Sequence, residues 1–555
     1  MSRKVVKQHI AFLTFFCLIL TLHAQEKMPL FGVFEVAFEG SMYSSTDNPV
    51  RDVELLTTWQ HESGKLRIQI HGYFDGDGQG QNAGRMFKVR FCPTEVGQWE
   101  LIDVHSNDEL LNQQKTGLRV ICEKSANKGF WMPDEQNGNR WYVRSNGDHP
   151  YIIGNTFYTF LSEYFKGQPS GGNIATDVRG NAKYLNKLRF AVTGDIFPNP
   201  VEKPFLDEEG KPTDNGRYSH RPNAKWFSER VDQAVQLCFE QDVIADIILN
   251  GPDSEDARSA LSADANGHDH LPYLRYIAAR YGSYPNVWIC LSNEFDIKKP
   301  KFSLDEIVDI GSEMKALLPY STPLSVHGDQ GNWKHELNKA DWNDHVIIQN
   351  KIKYLPNAAH YMEMNYWIGD QKPVVNDELA YEGKADGWSE EDVIEAVLGA
   401  FMGGGYASSG YKPIRKGGHY FAGNFNANEH RAIDNMLWFR QTIDQNIRFW
   451  QMEPIFITEA TYKDGIDGSR SSIFFQLDKD FRVLEWANRQ YVLATNKEKK
   501  HMLAYLPEGT WQVRQYDLLT KKETTLAEKV TGTFEFSSPD SRAVMIVVTL
   551  LENEK

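Results

Sequence analysis

The spacing of apolar residues along this chain changes twice. From residue 26 to about 125, apolar and polar side chains alternate in short runs: Phe34-Glu35-Val36-Ala37-Phe38-Glu39, Leu66-Arg67-Ile68-Gln69-Ile70 and Phe87-Lys88-Val89-Arg90-Phe91. That is the signature of strands with one face on a core. Several such strands within about 100 residues predict a β-sandwich over residues 26–125. Asp75-Gly76-Asp77-Gly78 reads as a turn between strands, since it lacks the later glutamate of a helix-loop-helix calcium loop.

From residue 126 to 450, apolar runs of four to six residues alternate with stretches of helical period, the pattern of a parallel sheet with crossover helices. Eight strands are predicted, at Tyr151–Asn155, Arg189–Gly194, Ile244–Leu249, Val287–Leu291, Pro323–His327, His345–Gln349, Val374–Asn376 and Gly405–Ser409. Eight is the count of a (β/α)8 TIM barrel. The helix before the last strand has a start signal, Ser389 followed by Glu390, Glu391 and Asp392, with Val393, Ala396, Val397 and Ala400 on one face. Beyond residue 450 short strands return, among them Phe474–Leu477, Tyr491–Ala494, Met502–Leu506, Trp511–Val513 and Ala543–Val548. The expected fold class is therefore a multidomain α/β plus all-β chain, a (β/α)8 barrel flanked by a sandwich at 26–125 and another at 451–555.

The first residues stand outside this scheme. Arg3, Lys4 and Lys7 precede an apolar stretch from Ile10 to Leu22, and Leu22-His23-Ala24 ends on a small residue. This predicts a signal peptide over residues 1–24 and an exported protein, periplasmic or extracellular. Without the leader the formal charge of −15 becomes −18, which argues against nucleic acid or an anionic membrane surface as partner. No later segment has the length of apolar residues that membrane insertion needs. Four cysteines follow the leader, Cys92, Cys122, Cys238 and Cys290. The apolar neighbours of Cys92 and Cys122 favour buried free thiols over a disulfide. With no CxxC or HExxH motif, no metal site and no cofactor are expected.

The candidate chemistry lies at strand ends. Val287-Trp288-Ile289-Cys290-Leu291-Ser292-Asn293-Glu294 and Pro373-Val374-Val375-Asn376-Asp377-Glu378 each finish an apolar run on a glutamate, 84 residues apart. That spacing holds three strand-plus-helix units of about 28 residues, so both carboxylates are expected at the C-terminal mouth of one barrel. A carboxyl pair there is the apparatus of glycosidic-bond hydrolysis: one protonates the leaving oxygen, the other attacks or activates water. Glu294 is the candidate acid/base and Glu378 the candidate nucleophile, with Asp377 and Glu382 as competitors if the strand end slips. Candidate substrate-binding residues are Asn293, His327, Tyr366, Trp367, Asn155, Asp195 and Glu382, with Tyr158 on a par with Asn155, and His419 and Tyr420 as weaker ones. Asp195 fits a helix cap as well as a hydroxyl contact. The loops Asn199–Asn223 and Asn250–His270 are expected to shape the cleft, the former exposed and mobile around Gly210-Lys211-Pro212.

Two stretches resemble known domains. Phe34-Glu35-Val36-Ala37-Phe38, His71-Gly72-Tyr73-Phe74-Asp75-Gly76-Asp77-Gly78, Lys88-Val89-Arg90-Phe91 and Gly97-Gln98-Trp99-Glu100 are similar to the β-sandwich domain of unknown function 5060. Ile153-Gly154-Asn155-Thr156, Trp288 to Glu294, and Lys372 to Glu378 with Tyr381-Glu382-Gly383 resemble the apiosidase-like barrel, domain of unknown function 4038. That group includes the apiosidases of glycoside hydrolase family 140, which act on plant pectin. The resemblance implies a retaining-type glycosidase with Glu294 as acid/base and Glu378 as nucleophile, and a polysaccharide or oligosaccharide of plant or algal origin as substrate. The N-terminal sandwich departs from the simpler apiosidases, so apiose is not carried over as the sugar. The alternative from a different class is a noncatalytic carbohydrate-binding protein with a degenerate barrel. A polysaccharide lyase would need a Lys, Tyr or His base and a cation.

Overall fold

The computed structural model describes residues 26–262, 269–328, 335–368, 370–412, 422–455, 474–476, 481–496, 501–537, 539 and 541–551. The expected leader, His419 and Tyr420 lie outside the described residues.

Eight parallel strands form the central sheet: β1 (Ile153–Thr156), β2 (Lys187–Ala191), β3 (Ile244–Asn250), β4 (Val287–Ser292), β5 (Leu324–Ser325), β6 (Val346–Ile348), β7 (Val374–Glu382) and β8 (Tyr406–Tyr411). They pair in the order β5-β4-β3-β2-β1-β8-β7-β6. A parallel bridge between His327, just past β5, and Ile347 of β6 brings the two edges together. The result is the expected nearly closed barrel. Within each strand, parity sorts the side chains. Leu188, Phe190, Ile247, Leu249, Ile289 and Leu291 join the helices in one apolar cluster, while Lys187, Arg189 and Asp246 meet one another with fully buried side chains. Ser389 caps the helix Glu390–Met402 with a reciprocal box to Asp392, as its sequence predicts.

The end of the barrel opposite the candidate site is closed by an element the apolar pattern does not announce. Trp131–Pro133 and Tyr142–Arg144 pair as a short antiparallel ribbon. Trp131 and Tyr142 pack on Trp288 near the start of β4, at ring distances of 6.1 and 4.5 Å. The Tyr142 hydroxyl bonds His345 Nδ1 at 2.8 Å.

Ahead of the barrel, a five-stranded sheet (Glu26–Pro29, Arg119–Glu123, Gly97–Ser106, Leu55–His61, Arg67–His71) faces a three-stranded one (Phe34–Tyr43, Gly84–Phe91, Tyr73–Phe74). Trp59 stacks on Phe91 at 4.3 Å between them, and Trp99 is fully buried in the same core. The Asp75–Gly78 segment is a turn: Asp77 accepts the amides of Gln79 and Gln81, while Asp75 pairs with Lys88 and Arg280. This sandwich is bolted to the barrel by a buried cluster. Asp232 bridges Arg90 of the sandwich (2.6 Å) and Arg280 of the barrel (2.7 Å), and Arg280 also reaches Asp75 at 2.9 Å.

After the barrel, a six-stranded and a three-stranded sheet enclose Tyr491, Trp511 and Ile546. Asn435 of the barrel donates to Leu518 O at 2.8 Å, and Arg542 pairs with Glu395 at 2.9 Å. Cys92, Cys122, Cys238 and Cys290 are buried free thiols.

One loop departs from expectation. Residues 199–223 fold a small hairpin (Phe205–Leu206 with Pro212–Thr213) whose Phe205 is fully buried, and Arg221 donates to Ser45 O of the N-terminal sandwich at 3.1 Å. The loop is docked rather than mobile, because Phe205 and Leu206 of its hairpin are buried, which charge content alone does not reveal. Among the described residues no helix is long and apolar enough to cross a membrane.

Candidate active site

The interior of the barrel is charged below and polar above. Deepest lies Lys187, pairing with Asp246 of β3 at 2.6 Å and with Asp377 of β7 at 2.5 Å, all fully buried. Burial alone would raise the Asp377 carboxyl; Lys187 and Arg189 outweigh it and hold it below the ordinary aspartate value. Ser408 Oγ donates to Asp377 Oδ1 at 2.7 Å and Thr156 Oγ1 to its carbonyl at 2.6 Å. Asp377 is therefore an internal counter-ion and does not reach the mouth.

One register irregularity separates it from its neighbour. The pairing of β7 with β8 shifts between Asn376 and Ala380, and a bulge of this kind re-aims side chains. Asp377 turns down to Lys187, and Glu378 turns to the mouth. There Tyr158 donates its hydroxyl to Glu378 Oε1, Gln349 Nε2 donates to Oε2 at 3.1 Å, and His327 Nδ1 stands 3.8 Å from Oε1.

Across the mouth, Asn293 and Glu294 end β4. Asn293 Oδ1 accepts from Arg189 Nη2 at 2.8 Å and from His327 Nδ1 at 2.6 Å. This fixes the amide plane and turns its two N–H donors away from them, toward an acceptor such as a sugar hydroxyl. Because an amide oxygen can only accept, His327 is the tautomer with its proton on Nδ1, and burial, reinforced by Arg189, drives its pKa far below the usual histidine value and keeps the ring neutral. Arg189 Nη1 reaches the Tyr158 hydroxyl at 3.2 Å, so one guanidinium orders both sides of the mouth.

Glu294 has a left-handed backbone, φ 47°, an uncommon conformation for a glutamate. It is held by Arg258, which donates to Asn293 O at 2.5 Å and to Glu294 O at 3.3 Å. Burial raises the Glu294 carboxyl pKa, and the charge of Glu378 raises it further. Lys298 Nζ, 3.5 Å from Oε2 and 2.7 Å from Asp253, pulls the other way. The two glutamates thus feel each other electrostatically, and their surroundings differ: one is protonation-prone, the other held by two neutral donors.

Five of the expected residues meet here, Glu294, Glu378, Asn293, His327 and Tyr158. The other candidates among the described residues do not. Asn155, at the end of β1, donates to Asn181 of the helix Ile174–Ala182 at 2.7 Å, so its side chain is engaged with the helix layer. Asp195 accepts the amides of Asp253 and Ser254 at 2.9 and 2.7 Å and secures the loop after β3; burial pushes its carboxyl up to about 6. Tyr366 and Trp367 fall at the far end of the helix Leu355–Ile368, which runs back from the mouth. Tyr366 donates to Gly138 O at 2.7 Å and lies under Arg140, and Trp367 bonds Glu363 at 2.7 Å. Both belong to the closed end, because more than two helical turns separate them from the strand end that suggested them. Glu382 accepts the amides of Arg431 and Ala432 at 3.2 and 2.9 Å, at the start of the helix Ala432–Asn446. It also lines a cavity of about 760 Å³ with Trp388 and Tyr411 beside the mouth.

Sequence reasoning missed Arg189 and Gln349, and it gave Tyr158 a place among the substrate contacts rather than its contact with Glu378. A charged residue inside the apolar run Leu188-Arg189-Phe190-Ala191 was the available signal for the first, and an amide directly closing the apolar run Val346–Ile348 for the second. A larger cavity, about 930 Å³, lies at the opposite end among Trp131, Asp134, Tyr320 and Asp344, away from both glutamates. Among the described residues no group of three or more His, Cys, Asp or Glu side chains is arranged to hold a metal ion.

Residues 193–410, which carry both glutamates, match the family of apiosidase-like catalytic domains. The barrel is an apiosidase-like glycoside hydrolase domain. Residues 27–101 match domain of unknown function 5060. No curated protein matches the chain. Among solved structures, a candidate glycoside hydrolase from Bacteroides vulgatus is 20% identical with a TM-score of 0.73, over 95% of this chain and 100% of that one. A glycoside hydrolase family 5 protein from the same organism is 13% identical with a TM-score of 0.57, over 77% and 94%. Another glycoside hydrolase is 14% identical with a TM-score of 0.57, over 77% and 98%. The first of these likenesses spans the glycosidase barrel together with nearly all of the flanking sheets.

Proposed function

We propose that this glycosidase cleaves its substrate by a two-glutamate, retaining mechanism. Glu378 attacks the anomeric carbon while Glu294 protonates the departing oxygen, giving a glycosyl ester on Glu378; Glu294 then takes a proton from the water that releases the sugar. The observation that carries this reading is the asymmetry of the pair. Glu294's carboxyl is raised by burial and by the Glu378 charge, which suits an acid, whereas Glu378 receives hydrogen bonds from Tyr158 and Gln349, which orient a carboxylate for attack. Once the ester forms, the charge on Glu378 is gone, part of what holds the proton on Glu294 is lost, and the same residue becomes a base.

The substrate is a plant or algal polysaccharide or an oligosaccharide derived from one, and the enzyme is exported after removal of residues 1–24. The test is product release from a panel of such glycans, wild type beside Glu294→Gln and Glu378→Gln, with the anomer of the first-formed product read by NMR. A sugar released with retained configuration by wild type alone bears the reading out. Release that survives in Glu378→Gln, or an inverted product, overturns the nucleophile assignment. Saturable glycan binding with no release by wild type would instead make the protein a binder.

A further inference from the structure

Glu294 is supported from outside its own strand. It and Asp195 both have left-handed backbones, φ 47° and 42°, a conformation uncommon in residues other than glycine. Such a backbone persists only where its surroundings hold it, and it concentrates at functional positions. The loop after β3 connects the two. Asp195, just past β2, accepts the amides of Asp253 and Ser254. Gly251 packs against the same strand end so closely that a Cβ there would stand 2.8 Å from Thr193 Oγ1 and 3.3 Å from Asp195 Oδ1. From this anchor the loop makes one helical turn, Glu255–Arg258, and its last residue turns back toward the end of β4.

Arg258 is fully buried. Among the described residues its hydrogen bonds go to six backbone carbonyls and to no carboxylate: Gly251 and Pro252 of its own loop, both at 3.3 Å, Asn293 at 2.5 Å, Glu294 at 3.3 Å, Lys298 at 3.5 Å and Lys299 at 3.2 Å. A guanidinium buried without a paired carboxylate is unfavourable for stability, so its presence calls for another reason. What it supplies is geometry: five donors in one plane tie the loop after β3 to both ends of the turn that carries Glu294. The same loop reaches the Glu294 side chain by a second route, since Asp253 holds Lys298 at 2.7 Å and Lys298 stands 3.5 Å from Glu294 Oε2.

We propose that Arg258 is a positioning residue for proton transfer, and that Asp195, by anchoring the loop that carries it, is a second one: together they hold Glu294 in the left-handed conformation that aims its carboxyl at the leaving oxygen. This rests on the assignment of Glu294 as the acid/base. Neither residue exchanges a proton in the reaction; Arg258 acts through the Asn293 and Glu294 carbonyls. The role is confined to the acid, because its neighbours are held from elsewhere. Tyr158 and Gln349 bond Glu378, and Arg189 and His327 bond the Asn293 side chain. Loosening the loop after β3 therefore displaces the acid and leaves the nucleophile in place.

The experiment compares dinitrophenyl glycosides, whose leaving group departs without a proton, with phenyl glycosides, whose leaving group needs one. Both anomers of galactose, glucose, mannose, xylose and arabinose are tried, and the sugar that wild type cleaves is carried forward. Arg258→Met should lower kcat/KM by about 100-fold on the phenyl glycoside, the scale of a misplaced catalytic group, and by no more than about threefold on the dinitrophenyl one. Arg258→Lys keeps the charge but not the planar fork and should show the same pattern. Asp195→Asn, which can accept only one of the two loop amides through its single oxygen, should show it in weaker form and keeps the test open if Arg258→Met does not fold. Crystal structures, which need no substrate, should show Glu294 out of the left-handed region in the Arg258 variants with Glu378 unmoved. Thermal melting checks that each variant is folded. Equal loss on both glycosides, no loss on either, or an unmoved Glu294 overturns the inference. Glu294→Gln is the control for the reading beneath it: a loss confined to the phenyl glycoside keeps Glu294 as the acid whatever the Arg258 variants do. If Glu294→Gln loses both substrates equally, or wild type cleaves neither these nor the glycans above, the acid assignment falls and this inference with it.

Discussion

At the scale of single residues, the chemistry depends on two glutamates placed in unlike surroundings. Glu294 must carry a proton to act as acid, and its pKa is raised. Activity should therefore fall as pH rises through that value, since the deprotonated form has no proton to give. Lys298 lowers the same pKa, so Lys298→Ala should move the alkaline limb of kcat/KM to higher pH, by less as salt increases; a limb that stays put would remove Glu294 as its origin. Glu294→Gln should cost about 10²–10⁴-fold in kcat. Tyr158 donates to Glu378, and Tyr158→Phe should lower kcat by about 10- to 100-fold, the worth of one hydrogen bond to a charged group. Burst kinetics on an aryl glycoside would tell whether glycosylation is the slowed step. The strand-end reading of the sequence found Asn293, Glu294 and Glu378 because a polar residue that closes an apolar strand is a local signal. It did not find Arg189, because a charge within a strand declares itself only when Asp246, Asp377, Tyr158 and Asn293 are brought around it.

Among elements, β7 is decisive. Its bulge separates the roles of Asp377 and Glu378, which period-2 reasoning would have sent to opposite faces. Local signals were sufficient for the strands themselves, and for the helix at Ser389, where the capping box lies within four residues. They were insufficient for Tyr366, which a strand-end rule assigns to the rim and a helix of 14 residues carries to the other end. Glu382 was an expected sugar contact and instead accepts two amides at the start of the helix Ala432–Asn446. Glu382→Ala should loosen that helix start by about 1 kcal/mol, seen as faster amide exchange at residues 431–434, with KM little changed. A large rise in KM with unchanged exchange would restore Glu382 to the substrate.

For the whole molecule, the N-terminal sandwich and the barrel share one buried ionic cluster. Burial works to raise the Asp232 carboxyl, but Arg280 and Arg90 hold it far below the ordinary aspartate value. An acid whose pKa is depressed by folding stabilises the native state above its unfolded pKa and loses that contribution only in strong acid. Asp232→Ala leaves two guanidiniums buried without their shared partner and should cost about 3–5 kcal/mol. In calorimetry the sandwich and barrel of the wild type should melt together, and the variant should melt earlier or in two steps; an unchanged single transition would deny the cluster its role as a joint. What the sequence by itself determined was the order of architectures and the two glutamates at strand ends, because hydrophobic period and strand-terminal polarity are properties of adjacent residues, and a (β/α)8 barrel sends every strand's C-terminal end to one mouth. What only the tertiary structure decided was which of two consecutive acids reaches that mouth, which aromatics stay away from it, and what charges surround it. Those depend on partners such as Lys187 and Asp377, 190 residues apart, whose pairing no local pattern encodes.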